Sequence, residues 1–469
     1  MDAITQEAAE VTLTRRRPTA SATPNQVLAI VCVGIVLANL DLFIVNVGLP
    51  AIAKDFKGAP LESLSWILNG YAITYAALLV FFGRLAERYR RDRSFLLGVF
   101  LFTAASAACA FAGSVQTLVL YRVLQAAGAA LMTPTSIGLL LASFPPDRRG
   151  AAVRAWAAIG GLAAALGPVA GGVLIIASWR WIFLVNVPIG ILAMIVGTWK
   201  LPAVPGHEVA RPSPTAAVLV TVGIAALTFA IIKGNDWGWT SPGIATTLIA
   251  SITSLALFVR HCLRAANPFI SPDLFKVRQF TGASLVMAPY SIAFGALLFS
   301  VAVWEQTGWG WSALKTGLAI APGPLLVPIT SMLLAGRLIA RFGAAPVISA
   351  GIFFFVASFA TFATLVTPAP SLLVGIGGMV FSGIGVGMTF PTLMGVAASS
   401  LPPSSFATGS GVINMIRQAA IAIGVAIFVA MIALASDRLA AFHKGWWIMA
   451  AFTAVGLIPN LLFIRRNRN

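Results

Sequence analysis

Residues 39–50 read NLDLFIVNVGLP. The stretch closes an apolar run that begins near Gln26, and Asp41 stands inside it with nothing basic beside it. Roughly 20 apolar residues in a row cross about 30 Å of hydrocarbon as a helix. The fold rests on whether such runs recur, and the function on why a carboxylate was placed in one.

They recur down the whole chain. Of 469 residues, 59% are hydrophobic and 10% charged, against about 25% charged in a soluble domain. Mean hydropathy is +0.92. Fourteen runs lie near 26–49, 62–82, 95–113, 117–142, 151–176, 181–199, 214–233, 243–259, 280–304, 316–335, 346–366, 371–395, 407–433 and 446–463. The seventh and eighth are parted by KGNDWGWTSPG, which is polar, aromatic and turn-prone. Without water at that depth the backbone must satisfy its own hydrogen bonds, as a helix does. The alternation of a strand barrel is absent. The expected fold class is an all-α integral membrane protein.

Basic residues set the orientation. With the N-terminus in the cytoplasm, the cytoplasmic segments carry 22 Lys and Arg and the outer segments 7. Both termini are therefore expected in the cytoplasm. The net charge of +17 then marks topology, and nucleic acid is not expected as a partner. RRR at 15–17 precedes a polar stretch and a run too long for a signal peptide, so no cleaved signal is expected. Cys32, Cys109 and Cys262 suggest no disulfide framework, and His207, His261 and His443 have no metal-ligand spacing. No cofactor or metal is expected. No Walker-type GxxxxGK[ST] segment and no Ser–His–Asp set stands out, which argues against an ATP-driven pump and an enzyme.

The chain divides into a cytoplasmic tail (1–25), a six-helix bundle (26–200), a linker with two additional spans (201–279), a second six-helix bundle (280–463) and a short cytoplasmic tail (464–469). LPAVPGHEVARPSP after the sixth run is the seam. The 260–279 segment is expected to lie along the cytoplasmic membrane surface without chemistry. GRLAERYRRDRS after the second run is echoed by GRLIARFGAAP after the tenth. Repeats of this kind occur in secondary transporters, with the site at the repeat interface. The architecture is thus six plus two plus six.

Gly34, Ala38, Asp41, Val45 and Gly48 follow at intervals of 4, 3, 4 and 3, a stripe down one helix face. Small residues allow close helix approach, so this face looks into the bundle. A charged carboxylate is costly in hydrocarbon, which suits Asp41 to taking up and releasing a proton. A structural partner to a buried cation is the alternative. Arg122 supplies such a cation. Asp41 lies about eight residues before the outer end of its run and Arg122 about five after the outer start of its own, a matched depth at about 1.5 Å per residue. Gln125, Ala129 and Thr133 continue the Arg122 face. The competing reading has Arg122 reaching to the outer headgroups. GLAAALGPVAGG, residues 161–172, suits tight helix contact, with a kink at Pro168.

LDLFIVNVGLP, GRLAERYRRDR, YRVLQAAGAA, GPVAGG, WRWIFLVNVPIG and FATGSGVINMIRQ occur in this order along the chain. Together they resemble the major facilitator superfamily, in particular its fourteen-span drug:proton antiporter branch. The resemblance implies that Asp41 couples to protons and that Arg122 assists it. Gly167, Pro168, Gly171 and Gly172 would form the antiporter motif. Gly83, Arg84, Glu87, Arg88 and Arg91 would form a cytoplasmic gate. Arg90 stands where the family has glycine, Asp92 where it has a basic residue, and Ala126 where it has glycine after Gln125. The second gate copy has Ala340 in place of the acid, so only the first is expected to switch.

Candidates for the substrate cavity are Trp66, Tyr71, Tyr75, Gln125, Glu305 and Arg417. Aromatic cargo could stack on Trp66, Tyr71 and Tyr75, although packing explains them too. Glu305, at the outer end of the ninth run, reads chiefly as a solvated helix end that could attract cations. Arg417 lies near mid-membrane, where an unpaired cation is costly, and is expected to face the cavity. The twelfth run, GIGGMVFSGIGVGMTFP, reads as a closely packed gate helix. The expected protein exports small lipophilic or cationic compounds by proton antiport from a bacterial inner membrane. Its partners are the small-molecule cargo, protons and the lipid bilayer, and any adaptor for export across an outer membrane would be a separate chain. A nutrient importer on the same fold and a non-transporting sensor or scaffold are the alternatives.

Overall fold

The computed structural model describes residues 22–56, 59–206, 212–401, 406–433 and 435–464. All regular structure among these residues is helical, and fourteen helices are long and apolar enough to cross a membrane. In chain order they are α1 (Pro24–Asp55), α2 (Leu61–Arg88), α3 (Arg91–Ala110), α4 (Val115–Ser143), α5 (Pro146–Ala177), α6 (Trp181–Lys200) and α7 (Pro214–Trp237). The series continues with α8 (Pro242–Arg264), α9 (Arg278–Thr307), α10 (Ala313–Phe342), α11 (Ala344–Leu365), α12 (Leu372–Ser399), α13 (Phe406–Ile432) and α14 (Arg438–Phe463).

Each helix overlaps one apolar run, and several extend past it. Capping chemistry explains the difference. Thr23 and Ser114 each form a reciprocal box with the residue three positions on, Gln26 and Thr117. Ser213, Ser241, Ser312, Ser371 and Asp437 each accept a backbone N–H from the first turn. Such caps satisfy amides that the helix leaves orphaned. Asp437 thus starts α14 at Arg438, well before the apolar run at 446. Proline in the first turn of α1, α5, α7 and α8 adds a preset backbone angle.

Three spans are broken. α6 pauses at Val185, α14 at Gly456, and α10 carries a wide π turn over Thr330–Ala335 just after Pro328. Proline withholds an amide from the ladder, and the widened turn takes up the mismatch.

Helices α1–α6 pack on one another as a first half and α9–α14 as a second. The halves meet most closely along two seams, α2 against α13 and α5 against α10, with α1 also touching α9. α7 leans on both α2 and α13, and α8 packs chiefly on α7. Lys233 of α7 binds Glu62 of α2 at 3.0 Å, and Asn235 donates to the Ala430 carbonyl of α13. Arg84, Arg88, Arg90 and Arg91 gather where α2 ends and α3 begins and make this end of the bundle its basic face, across from the opposite face.

The segment before α9 departs from expectation. It does not simply lie on a surface. Phe269, Ile270 and Leu274 are buried, and Phe269 meets Phe258 of α8 edge-on at 5.8 Å. Burying these side chains removes apolar area from water, which anchors the segment in the bundle.

Candidate functional site

Asp41 of α1 is fully buried, in a hydrogen-bond network that draws on α2, α3, α4 and α6. Arg122 Nη1 of α4 donates to Asp41 Oδ2 and, at 2.7 Å, to Gln125 Oε1. Gln125 Nε2 donates to Asp41 Oδ1 at 2.9 Å and to Ser106 Oγ of α3 at 3.1 Å. Asn186 Nδ2, at the break in α6, donates to the same two oxygens at 3.4 and 3.0 Å. Ser106 in turn donates to the Phe183 carbonyl at 2.9 Å, and Arg122 Nε to the Ile67 carbonyl of α2 at 3.2 Å. Asp41, Ser106, Arg122, Gln125 and Asn186 are all at zero exposure.

Local structure makes this possible. Gly34 presses on Phe95 and Gly48 on Ile182, where a Cβ would stand 2.9 and 2.8 Å from ring and methyl carbons. The small-residue stripe therefore does face the bundle interior, and it carries Asp41 inward with it. The reading of Arg122 as a headgroup contact is overturned, because its guanidinium is enclosed and paired. Tyr71 covers it, with the guanidinium carbon 4.2 Å from the ring centroid. Tyr71 stacks in turn on Tyr75, at 6.0 Å and 7° between planes. Two opposite charges in a medium of low dielectric hold each other strongly, and neither is tolerated alone.

Ser106 and Asn186 were not singled out from the sequence. Asn186 had a signal, a polar amide inside an apolar run. Ser106 sits among alanines and gave none.

The residues of GLAAALGPVAGG divide between two contacts. Gly167 and Gly171 pack α5 on α1, where Cβ atoms would stand 2.7 Å from Phe43 Cβ and 3.0 Å from Ile44 Cγ1. Gly172 and Pro168 pack α5 on α10. A Cβ on Gly172 would stand 2.5 Å from Leu314 Cα, and one on Gly317 would meet the Pro168 carbonyl. Both contacts with α10 lie toward the opposite face.

At the basic face Arg84 Nη1 donates to the Pro268 carbonyl, tying the end of α2 to the linker before α9. Arg91 Nη1 reaches the Gly138 carbonyl of α4 at 3.4 Å, and its backbone N–H the Val204 carbonyl at 3.1 Å. Gly83 faces Pro134 of α4. Arg88 is half-buried. Glu87 lies in α2, and its side chain is outside the described residues. Arg90 and Asp92, two of the departures from the family pattern, pair with each other at 2.7 Å.

The six cavity candidates separate. Tyr71 and Gln125 belong to the Asp41 network. Tyr75 and Arg417 lie on α2 and α13, the two helices of one seam between the halves. Trp66 lies elsewhere, packed on Phe229 of α7 at 6.2 Å. Glu305 is not a solvated helix end. It is 1% exposed, and the turn Trp309–Trp311 folds over the end of α9 beside it. Gly375 of α12 meets Glu305, Trp309 and Trp311 together. No group of three or more possible metal ligands occurs among the described residues.

A two-half helical membrane protein with a buried ion pair in one half and close seams between the halves has the build of a transporter. The chain matches the model of the Major Facilitator Superfamily over residues 31–425 and again over 310–468. It belongs to that superfamily, as an integral, multi-pass membrane transporter. It is 32% identical to the methylenomycin A resistance protein of Streptomyces coelicolor, over 90% of this chain and 88% of the relative. It is 29% identical to the tetracenomycin C resistance and export protein of Streptomyces glaucescens, over 92% and 80%. The riboflavin transporter RibZ of Clostridioides difficile is 28% identical over 94% and 97%. A crystal structure of a POT peptide transporter in complex with sulfate superposes with a TM-score of 0.71 at 16% identity, covering 95% of this chain and 96% of that one. That likeness concerns the fold. Fourteen spans and relatives named for antibiotic resistance agree with the drug-exporting branch expected from the motifs.

Proposed function

We propose that this protein exports small lipophilic compounds from a bacterial cell by proton antiport, with the basic face in the cytoplasm. The observation that carries the reading is the Asp41–Arg122 pair, wholly enclosed, with Gln125 and Asn186 donating to Asp41 and both also donating to Ser106. A proton arriving at Asp41 from the open opposite side cancels the pair's charge complementarity and frees Arg122, which favours cargo release. Loss of that proton on the basic side restores the pair and the cargo-binding form. Gln125, Asn186 and Ser106 position the carboxylate. The α5–α10 seam closes the opposite side, and the Arg84, Arg88 and Arg91 region biases the change between states. A ligand moves such an equilibrium only through its differential affinity for the two states.

The riboflavin transporter among the relatives supports a second reading, movement of a small metabolite on the same fold. The deciding experiment uses proteoliposomes with an imposed proton gradient, comparing the wild type with Asp41→Asn. Antiport predicts cargo flux against proton flux in the wild type and none driven by the gradient in the variant. Gradient-driven transport surviving in Asp41→Asn sinks the coupling role.

A further inference from the structure

Arg417 stands in a different position from the fully buried Arg122. Arg122 has a carboxylate, an amide and a carbonyl around it. Arg417 of α13 has no carboxylate partner among the described residues, and its buried Nε has no acceptor. Its neighbours are aromatic. The guanidinium carbon lies 5.9 Å from the Phe390 ring centroid of α12. Tyr75, on the facing helix α2, donates its hydroxyl to Thr133 Oγ1 at 3.1 Å.

The aromatic wall continues across both halves. Phe390 meets Phe294 of α9 at 5.3 Å and 80°, and Phe294 meets Phe43 of α1 at 6.4 Å and 66°. Arg417, Phe43 and Phe294 are each only half-buried, and they belong to α13, α1 and α9, helices that pack across the halves. Half-buried side chains on helices that pack across the halves keep room beside them, and here that room is edged by rings and by a cation with no carboxylate partner among the described residues. Arginine keeps its charge in such a place. A cation within a span with no carboxylate partner among the described residues is costly, and the arrangement is accounted for when something else supplies the anion.

We propose that Arg417 is a cargo-binding residue and that the preferred cargo is an aromatic organic anion, its acidic group on the guanidinium and its ring against Phe390, Phe294 and Phe43. This rests on reading the space between the halves as the cargo chamber. A planar guanidinium suits carboxylate and sulfonate oxygens, while the same charge repels a cationic drug.

The test uses three probes that share a naphthalene ring: 2-naphthalenesulfonate, 2-naphthalenesulfonamide and 1-naphthylmethyl-trimethylammonium. The sulfonate is permanently charged, so it does not leak across the bilayer as a neutral acid. Equilibrium binding to the purified full-length protein is read by tryptophan quenching, with gradient-driven flux of each probe measured separately in proteoliposomes. The wild type is expected to bind the sulfonate at least about tenfold more tightly than either other probe. Arg417→Gln should bring that ratio near one, and Arg417→Lys, which keeps a charge, should retain most of it. Melting temperature and elution volume confirm that the variants fold. Equal binding of the three probes, binding of none, or an unchanged ratio in Arg417→Gln overturns the proposal. Sulfonate preference without gradient-driven flux supports the Arg417 site and counts against the antiport reading instead.

Discussion

The main-chain carbonyl of Pro168 occupies the place that a Cβ on Gly317 would take. One turn on, Gly172 presses on the Leu314 backbone in the same way. The α5–α10 seam is thus closed at backbone contact, and only glycine fits. Gly317→Ala should strain this seam while leaving an open one untouched. Overpacking of this kind costs about 1–3 kcal/mol, and about 1.4 kcal/mol shifts an equilibrium tenfold. Spin labels at Ala177 and Ser312, both exposed at the opposite face, report the separation by pulsed resonance. A longer-distance population should grow in Gly317→Ala, and an unchanged distribution counts against the seam as the closing contact.

Removing Arg122 should damage the protein more than neutralising the whole pair. Arg122→Ala removes the guanidinium and leaves the enclosed Asp41 carboxyl with only Gln125 and Asn186 as donors. Stranding one partner of a buried pair costs about 3–5 kcal/mol. The double variant Asp41→Asn, Arg122→Gln strands no charge and should melt well above Arg122→Ala. Equal melting temperatures for the two would mean that no charge is stranded in the single variant.

The Arg90–Asp92 pair should divide its effects unevenly. The Arg90 side chain is 42% exposed and the Asp92 side chain 9%. Asp92 Oδ1 also accepts the backbone N–H of Val204 at 3.3 Å, holding the chain that leaves α6. Arg90→Ala removes an exposed ion pair worth about 0–1 kcal/mol. Asp92→Ala also strands an amide and should cost about 1–3 kcal/mol. Tryptic cleavage after Lys200 should therefore accelerate in Asp92→Ala and barely change in Arg90→Ala. The reverse order would place the restraint on Arg90.

The spans were legible because hydropathy alone separates lipid-crossing segments from the rest, and Asp41 and Arg122 were legible because charge is rare in such runs. Matched depth sufficed to pair them. Ser106 was not legible, since a serine in a run of alanines is as apt to bond its own helix as a neighbour. The linker before α9 misled because Phe269 and Ile270 are flanked by prolines and charges, and only the packing against α8 reveals their burial. Glu305 misled for a related reason. Position near a helix end implies water only if the following turn points away, and here it folds back.

Glu305 gives the last prediction. Neither carboxyl oxygen has a hydrogen-bond partner among the described residues, and the side chain is 1% exposed. A buried polar group without a partner costs about 1–3 kcal/mol, and replacing it with an apolar group of similar shape removes that cost. Glu305→Met keeps the length of the side chain and should raise the melting temperature of the purified protein. Gly375→Ala should lower it, since the new methyl would stand 3.0 Å from Oε1 and 3.6 Å from both Trp309 and Trp311. A native protein keeps an unsatisfied group at such a cost where function needs it, so Glu305→Met should gain stability and lose transport together. A fall in melting temperature would show instead that the carboxyl holds the α9–α12 contact together.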